Sequence, residues 1–245
     1  MTALRTLGRF GFFVATFASA SLRHPLPVRA SIIEAYRIGV RSLPILLVIS
    51  IFVGTNLTLQ GFAAFKPLGG QHLVGMFVAL AGVREMAPIM VSAMVAAKAG
   101  TEMASQIAVM RIREQIDALE VMSIDPHWFL ITPRFLGIFL VLPALTVLSI
   151  FTLMVSAWTV ATLQLGLNGD EFLALARATT HPADFGYGMI KAACFAAIIC
   201  LVSCFYGFYS EAGPDGVGRA TNSAVVVSAV SCAVLNYLLS EVLFG

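Results

Sequence analysis

Long apolar stretches separated by short polar segments fill the chain from residue 42 onwards. A helix needs about 20 apolar residues to cross the hydrocarbon core of a membrane. Stretches of that length occur at residues 42–65, 72–97, 129–165, 186–209 and 217–244. A shorter, more polar stretch at residues 169–180 has acidic residues in its first turn and predicts a helix outside the bilayer. The pattern predicts an all-α membrane protein with five spanning helices, called spans 1 to 5.

The segment between spans 2 and 3 is charged. We call residues 114–126, reading EQIDALEVMSIDP, the charged segment. Apolar residues recur through it at offsets of four, three and three, which places them on one side of a short helix: Ile112, Ile116, Leu119 and Met122. Acidic residues line another side: Glu114, Asp117 and Glu120. Such a helix predicts a contact surface for a partner or for the membrane surface.

The N-terminal region, residues 1–41, has an apolar run at residues 10–20 that follows Arg5 and Arg9. This order is typical of a secretory signal. Arg23 and further positive residues follow closely, however, and positive charge after an apolar run opposes its export. Small and apolar residues share the side opposite the first two arginines: Leu4, Leu7, Gly11, Val14 and Ala18. We therefore favour a retained amphipathic helix at the membrane interface over a cleaved signal.

The composition agrees with a membrane location, because 59% of the 245 residues are hydrophobic and only 11% are charged. A soluble domain has about 25% charged residues. Arginines concentrate before span 1, which predicts a cytoplasmic N-terminus, a cytoplasmic charged segment and a cytoplasmic turn at residues 210–216. Lys66 and Arg177 remain on the opposite side. We expect residues 1–245 to form a single domain, with its five-span membrane part at residues 42–245.

Motifs of common catalytic sites are absent from the sequence. It contains no GxxxxGK phosphate loop followed by Ser or Thr, no HExxH and no GxSxG. Its cysteines and histidines lack the spacing of a metal site, and no basic run suggests nucleic acid. We expect no catalytic residue, no metal site, no nucleic-acid partner and no cofactor bound by this chain.

Charged side chains inside span 2 are the strongest internal signal. Arg84 lies about 12 residues into the span, or about 18 Å deep. A charge at that depth costs several kcal/mol unless it is paired or faces water. Arg84 and Glu85 could form a local ion pair that fixes helix packing, or they could line a cavity that admits a lipid headgroup. Pro88 removes a backbone donor and could bend the span beside them.

Three further polar residues are candidates for the same cavity. Lys191 lies early in span 4 and could reach the membrane interface with its flexible side chain. Asn56 and Gln60 share a face of span 1. Each could line the cavity or make a hydrogen bond between helices.

A resemblance to a known family rests on residues 78–126, residues 132–143 (TPRFLGIFLVLP) and residues 216–221 (GVGRAT). These segments resemble the permease subunits of MCE-associated ABC transporters, the Mla-type lipid transporters. The likeness extends over nearly the whole chain. It implies a permease without enzymatic activity, which moves phospholipids or other hydrophobic molecules between the bacterial inner membrane and the outer envelope.

The resemblance also implies partners and roles. The permease would form a homodimer, bind a separate ABC ATPase that carries ATP and Mg²⁺, and contact membrane lipids and a periplasmic MCE-domain protein. The charged segment would be a coupling helix that contacts the ATPase through Glu114, Gln115, Asp117, Leu119, Glu120 and Asp125. The resemblance places Arg84, Glu85 and Lys191 near the lipid path, and Asn56 and Gln60 are added to this substrate path from their shared face on span 1. Asn236 stands where some relatives have an acidic residue, so any ion pair made by that acid would be missing here.

Two other functions remain open from the residues. A stand-alone secondary carrier would use Arg84, Glu85 and Lys191 to bind an ion or substrate without an ATPase. Five spans do not divide into the equal repeats of many carriers. A membrane scaffold would only anchor an envelope-spanning partner, and it would tolerate the loss of Arg84 or Glu85.

Overall fold

A computed structural model describes residues 2–244, with side chains from residue 5 to residue 243. The described residues form helices and connecting turns, without strands. The α-helices are α1 Thr2–Arg23, α2 Val28–Phe65, α3 Val74–Ala81, α4 Ala87–Val95, α5 Thr101–Ile112, α6 Gln115–Val121, α7 Thr132–Thr159, α8 Gly169–Thr179, α9 Pro182–Phe208 and α10 Pro214–Phe244.

Five helical segments among the described residues are long and apolar enough to cross a membrane, which confirms the all-α, five-span prediction. Spans 1 to 5 are Val28–Leu68, Gln71–Ile112, His127–Gln164, Pro182–Phe208 and Pro214–Leu243. Span 1 begins earlier than residue 42 and span 2 ends later than residue 97. The predicted bounds are shorter because hydropathy identifies only the apolar part of a helix, whereas the hydrogen-bonded helix extends into the polar residues at its ends. The predicted short helix is α8, and the Asn168 side chain caps it by accepting from the Asp170 N–H at 3.0 Å.

Spans 2 and 3 are interrupted by π-helical turns. Gly82–Met86 and Ala96–Gly100 lie in span 2, and His127–Ile131 and Val160–Gln164 lie in span 3. A π-helical turn inserts one extra residue and changes the direction of the side chains that follow, often at functional sites. Arg84 and Glu85 lie in the first of these turns.

Contacts between Cα atoms divide the chain into two compact units. Unit A contains the residues up to Val40, Val95–Val141 and Phe195–Cys232. Unit B contains Arg41–Met94, Leu142–Cys194 and the residues from Ala233 onwards. The single-domain organisation of residues 1–245 stays a prediction.

Helix α1 packs within unit A through a face that the sequence did not single out. Phe13 is fully buried, and Phe17 and Ala20 are nearly so. The Phe13 ring lies 5.6 Å from the Phe205 ring of α9, between centroids. Leu7, on the side predicted to be apolar, is 69% exposed. Phe13 and Phe17 lie one turn apart, so burying both rings turns this face of α1 inward. The helix is present as predicted, and its position at a membrane interface stays a prediction.

The core of unit B joins α8 to spans 1, 2 and 3. Its buried members are Leu57, Val74, Val78, Leu153, Ala157, Ala161 and Phe172. A Cβ atom on Gly75 would collide with the backbone of Phe172, so the glycine allows α3 and α8 to approach closely. This packing fixes α3, the helix that leads directly into the π-helical turn Gly82–Met86.

Candidate functional site

A polar cluster forms in unit B around the π-helical turn Gly82–Met86. The guanidinium of Arg84 meets the carboxylate of Asp184, which lies in the first turn of α9. Arg84 Nε is 3.0 Å from Asp184 Oδ1, and an Arg84 terminal nitrogen donates to Asp184 Oδ2 at 3.2 Å. The ion pair thus contains one charge-assisted hydrogen bond, which is stronger than a bond between neutral groups.

Lys191 joins the other half of this turn to α9. Its ammonium donates to Glu85 Oε1 at 2.9 Å and to the carbonyl oxygen of Arg84 at 3.0 Å. Pro88 has no N–H to give to the residue four positions earlier, which is Arg84, so that carbonyl is open to another donor. Lys191 supplies a donor to this carbonyl from α9.

Two residues of α10 complete the cluster. Asn236 Nδ2 donates to Glu85 Oε2 at 2.9 Å, and Ser240 Oγ lies 2.8 Å from Glu85 Oε1. Lys191 Nζ also donates to Ser240 Oγ at 2.7 Å. An acidic residue at position 236 would place a second carboxylate against Glu85, whereas the asparagine amide supplies a donor. The cluster therefore balances two cationic and two anionic side chains.

Burial separates the cluster into supporting and exposed members. The side chains of Lys191 and Asp184 are 0% and 4% exposed, while those of Glu85 and Arg84 are 36% and 30% exposed. The buried partners hold the two exposed charges in place. Pairing of opposite charges reduces the free-energy cost of placing them inside a membrane span. The arrangement can bind groups of either charge on an incoming molecule.

The structure places the predicted site residues differently from one another. Arg84 and Glu85 each make an ion pair with a residue of α9, Arg84 with Asp184 and Glu85 with Lys191. Lys191 does not extend to the interface, because its ammonium is buried among three acceptors. Asn56 and Gln60 share an exposed face of α2, and Asn56 donates to the Phe52 carbonyl of its own helix. Their role in a substrate path stays a prediction.

A small apolar cleft in unit B is lined by Met86, the residue that follows Glu85 in the chain. Its walls come from α2, α4 and α7, and include Leu46, Val53, Met90 and Leu153. Met86 and Met90 are 40% and 37% exposed. Methionine side chains adapt to ligands of variable shape. The sequence analysis did not identify this cleft, although methionine recurs every four residues at positions 86, 90 and 94. It did not identify Asp184 and Ser240 as members of the polar cluster either, and no local pattern marks them.

The charged segment forms α6 between two tight turns. Glu114 precedes α6 with φ of 55°, and Ser123 follows it with φ of 60°. Ile116 is fully buried and Leu119 is 8% exposed. Ile116 and Leu119 are therefore the side that anchors α6, as half of the predicted apolar stripe.

The exposed side of α6 combines acidic and apolar residues. Glu114, Gln115, Asp117 and Glu120 are exposed, as predicted for a contact surface, and Asp117 pairs with Arg111 at 2.5 Å. Val121 is 86% exposed and Met122 is 60% exposed. Val121 was not among the predicted contact residues. Its exposed apolar side chain stands out on an otherwise polar side of the helix.

Two predicted contact residues face the chain itself. Leu119 is buried, so its side chain is occupied by intramolecular packing. Asp125 Oδ1 accepts the N–H groups of His127 and Trp128, at 2.9 and 3.4 Å. Asp125 therefore caps the first turn of span 3. The other four predicted residues remain available to a partner.

The end of the charged segment is tied to α1. The His127 ring lies 5.5 Å from the Phe13 ring and 4.9 Å from the Phe208 ring. Trp128 Nε1 donates to the carbonyl oxygen of Pro25 at 3.1 Å. Within unit A, α1 and α9 therefore fix the point at which span 3 leaves the charged segment.

No group of three or more His, Cys, Asp or Glu side chains among residues 2–244 is placed to hold a metal ion. Cys200 and Cys204 are buried one helical turn apart in α9, with their sulfur atoms 3.9 Å apart. The two cysteines pack as apolar side chains.

Known proteins similar to this chain match it over nearly its whole length. Residues 31–242 match the family model described as Permease MlaE. A probable ABC transporter permease protein of Rickettsia conorii is 34% identical over 240 residues, which cover 98% of this chain and 93% of the relative. An intermembrane phospholipid transport system permease protein MlaE of Haemophilus influenzae is 29% identical over 244 residues, with the same coverage of 98% and 93%.

A plant relative matches a shorter region. The chloroplastic protein TRIGALACTOSYLDIACYLGLYCEROL 1 of Arabidopsis thaliana is 35% identical over 216 residues, which cover 88% of this chain and 62% of that protein. The family match includes both the polar cluster and the charged segment. It describes transport permeases, not enzymes. This multi-pass membrane protein belongs to the MlaE permease family.

Proposed function

We propose that the chain is the permease subunit of an ABC transporter that moves phospholipids between the inner membrane and the outer envelope. The observation that carries this proposal is the polar cluster, whose partly exposed Arg84 and Glu85 lie inside the apolar span 2. A phospholipid presents a charged headgroup joined to apolar chains. The Haemophilus relative is named for phospholipid transport.

The chemistry of the cluster suits a phospholipid headgroup. The Arg84 guanidinium would bind the phosphate, since planar donors match phosphate oxygens. Glu85 would attract an ammonium group where the headgroup carries one. Acyl chains would lie against exposed apolar side chains such as Met86 and Met90. Lys191 and Asp184 would act indirectly, by holding Glu85 and Arg84 in place.

Energy for this movement would come from a separate ATPase that binds ATP and Mg²⁺. The exposed side of α6, from Glu114 to Met122, would contact it from the cytoplasm. The N-terminus would be cytoplasmic, in agreement with the arginines before span 1. We further propose a homodimer in the bacterial inner membrane and an MCE-domain protein on the periplasmic side.

The experiment is reconstitution of the chain with its candidate ATPase in liposomes that contain labelled phospholipid. ATP should drive transfer of the labelled phospholipid to acceptor liposomes. The variants Glu120→Lys and Val121→Asp should each lower the amount of bound ATPase by about tenfold, as expected for exposed anchor residues of an interface. The control is Glu171→Lys on α8, an exposed acidic residue outside the charged segment.

The outcomes separate the alternatives. Phospholipid transfer by the chain alone, without ATPase or ATP, would indicate a secondary carrier. Normal ATP-driven transfer by Arg84→Ala and Glu85→Ala would indicate that the cluster does not contact the lipid. Retention of ATPase by both α6 variants at the level of the Glu171→Lys control would contradict the contact through α6.

A further inference from the structure

A second charged side chain is buried in unit A, in span 3. Arg134 is 8% exposed and lies in the first turn of α7. It donates to the carbonyl oxygen of Leu130 at 2.6 Å and to Gln106 Oε1 at 3.2 Å, and both of these acceptors are neutral. None of the described residues accepts a hydrogen bond from its Nε atom. A buried guanidinium with neutral partners is costly, so packing alone is a weak reason for its presence.

The two acceptors flank the charged segment on either side. Gln106 lies in α5, before the charged segment, and Leu130 lies in the π-helical turn His127–Ile131 that follows it. Arg134 therefore joins span 2 to the start of span 3 at the base of α6. The contact with Gln106 is a side-chain hydrogen bond between the two spans in unit A, in addition to their apolar packing in unit B.

The Gln106 amide is itself fixed in orientation. Its Nε2 donates to Glu102 Oε1 at 3.2 Å, which directs its oxygen towards Arg134. A continuous chain of hydrogen bonds thus runs from Glu102 through Gln106 and Arg134 to the Leu130 carbonyl. Hydrogen bonds to a guanidinium are directional, so this chain resists sliding of one span along the other.

The turns around α6 explain why such a link is needed. Glu114 and Ser123 lie outside the helix with positive φ, at either end of α6. A push on the exposed side of α6 can be absorbed by rotation at these two turns. If the ends of the segment are held together, the same push moves the parts of spans 2 and 3 that lie in unit A together.

We propose that Arg134 is a positioning residue that couples displacement of α6 to joint movement of spans 2 and 3. This role rests on the proposed function, in which an ATPase acts on α6. Arg134 contacts neither the ATPase nor the lipid in this role. It determines how much of the ATPase movement reaches the spans, so its loss should lower the lipid transferred per ATP hydrolysed.

The test measures that ratio in liposomes that hold the complete transporter, together with the amount of ATPase bound. Arg134→Met and Gln106→Met should each bind ATPase normally and lower the ratio by about tenfold, as expected when a hydrogen bond to a charged group is lost from the coupled step. Arg134→Lys keeps the charge but loses the planar fork, and it should also lower the ratio. Arg37→Met is the control, because Arg37 is a more exposed arginine of unit A that is paired with Glu34.

The double variant Arg134→Met with Gln106→Met separates coupling from stability. Replacement of both polar partners by apolar side chains should recover the thermal stability that either single variant loses. The lipid transferred per ATP hydrolysed should stay low, because apolar contacts are not directional and do not resist sliding of one span along the other. A double variant with wild-type stability and a wild-type ratio would overturn the role of Arg134 and leave the proposed function intact. Absence of ATP-driven transfer in the wild type would overturn the proposed function itself.

Discussion

At the scale of single residues, paired charges are what distinguish this molecule from an ordinary bundle of apolar helices. Asp184 and Lys191 are buried and hold Arg84 and Glu85, which are partly exposed. Burial of an ion pair is seldom a net gain in stability compared with apolar residues. Charges retained inside a span are therefore expected to serve transport rather than folding.

This expectation gives a prediction for the pair of Arg84 and Asp184. Asp184→Leu removes one partner and should lower the free energy of unfolding by about 3 kcal/mol, the low end for a broken buried pair because Arg84 is partly exposed. The double variant Arg84→Met with Asp184→Leu should recover part of that stability, since it also removes the guanidinium that lost its carboxylate, while the His181 N–H still lacks the Asp184 acceptor. Lipid transfer should remain strongly reduced in the double variant.

Thermal unfolding in nanodiscs gives the stability, and the liposome assay gives the transfer. Arg84→Met alone provides the matched comparison, because it removes the proposed phosphate contact while it leaves Asp184 in place. Wild-type transfer by the double variant would mean that the pair serves helix packing only.

At the scale of elements, the short helices at the ends of the spans are positioned by their buried faces. Helix α6 is fixed by Ile116 and Leu119, and this leaves its acidic side and Val121 exposed. Helix α1 is fixed by Phe13 and its aromatic neighbours, which also contact His127 at the end of the charged segment. The two helices are therefore linked through the start of span 3.

Adjacent phenylalanines of α1 allow a matched test of this packing. Phe13→Ala should lower the free energy of unfolding by about 3–5 kcal/mol, because it removes a fully buried ring. Phe12→Ala should change it by less than about 1 kcal/mol, since the Phe12 ring is 71% exposed. Thermal unfolding and protease sensitivity of the purified protein measure the difference.

The mass of the purified protein adds an independent observation on α1. A mass that includes residues 1–20 would agree with a retained helix, whereas loss of these residues would indicate a cleaved signal. Equal effects of the Phe12 and Phe13 variants would contradict the packing of α1 through Phe13.

At the scale of the whole molecule, the order of the five spans decides which segments share a side of the membrane. Two crossings separate the N-terminal arginines from the charged segment, and α8 follows one crossing later. Under the positive-inside rule the arginines and α6 are expected in the cytoplasm, with α8 opposite. This orientation would bring α6 to the compartment that contains ATP.

Two alanines on exposed helix surfaces provide a matched test of orientation. Ala118 on α6 and Ala178 on α8 are both exposed, so a cysteine at either position should react with a maleimide once the reagent reaches it. In spheroplasts, a membrane-impermeant maleimide should label Ala178→Cys and not Ala118→Cys. Both should be labelled after lysis.

The background for this labelling is Cys194→Ser, because Cys194 is a partly exposed cysteine and the other three cysteines are buried. Labelling of Ala118→Cys in intact spheroplasts would place α6 outside. That result would contradict contact with a cytoplasmic ATPase.

The sequence alone determined the five spans, the short helix α8 and the presence of a charged segment between spans 2 and 3. These features follow from local properties, because apolar length and charge are read within one segment. It also identified Arg84 and Glu85, since the cost of a charge in the membrane is evident without knowledge of its partners.

Only the tertiary structure decided the partners. Asp184, Asn236 and Ser240 lie 100 or more residues along the chain from the side chains that they contact, and no local pattern connects positions so far apart. The same holds for the side chains that turn inward. Leu119 and Asp125 face the chain, and Lys191 is buried, because neighbouring helices supply packing and acceptors that the isolated sequence does not contain. Local physics fixed where the helices and charges are, and packing between distant segments fixed what each charge binds.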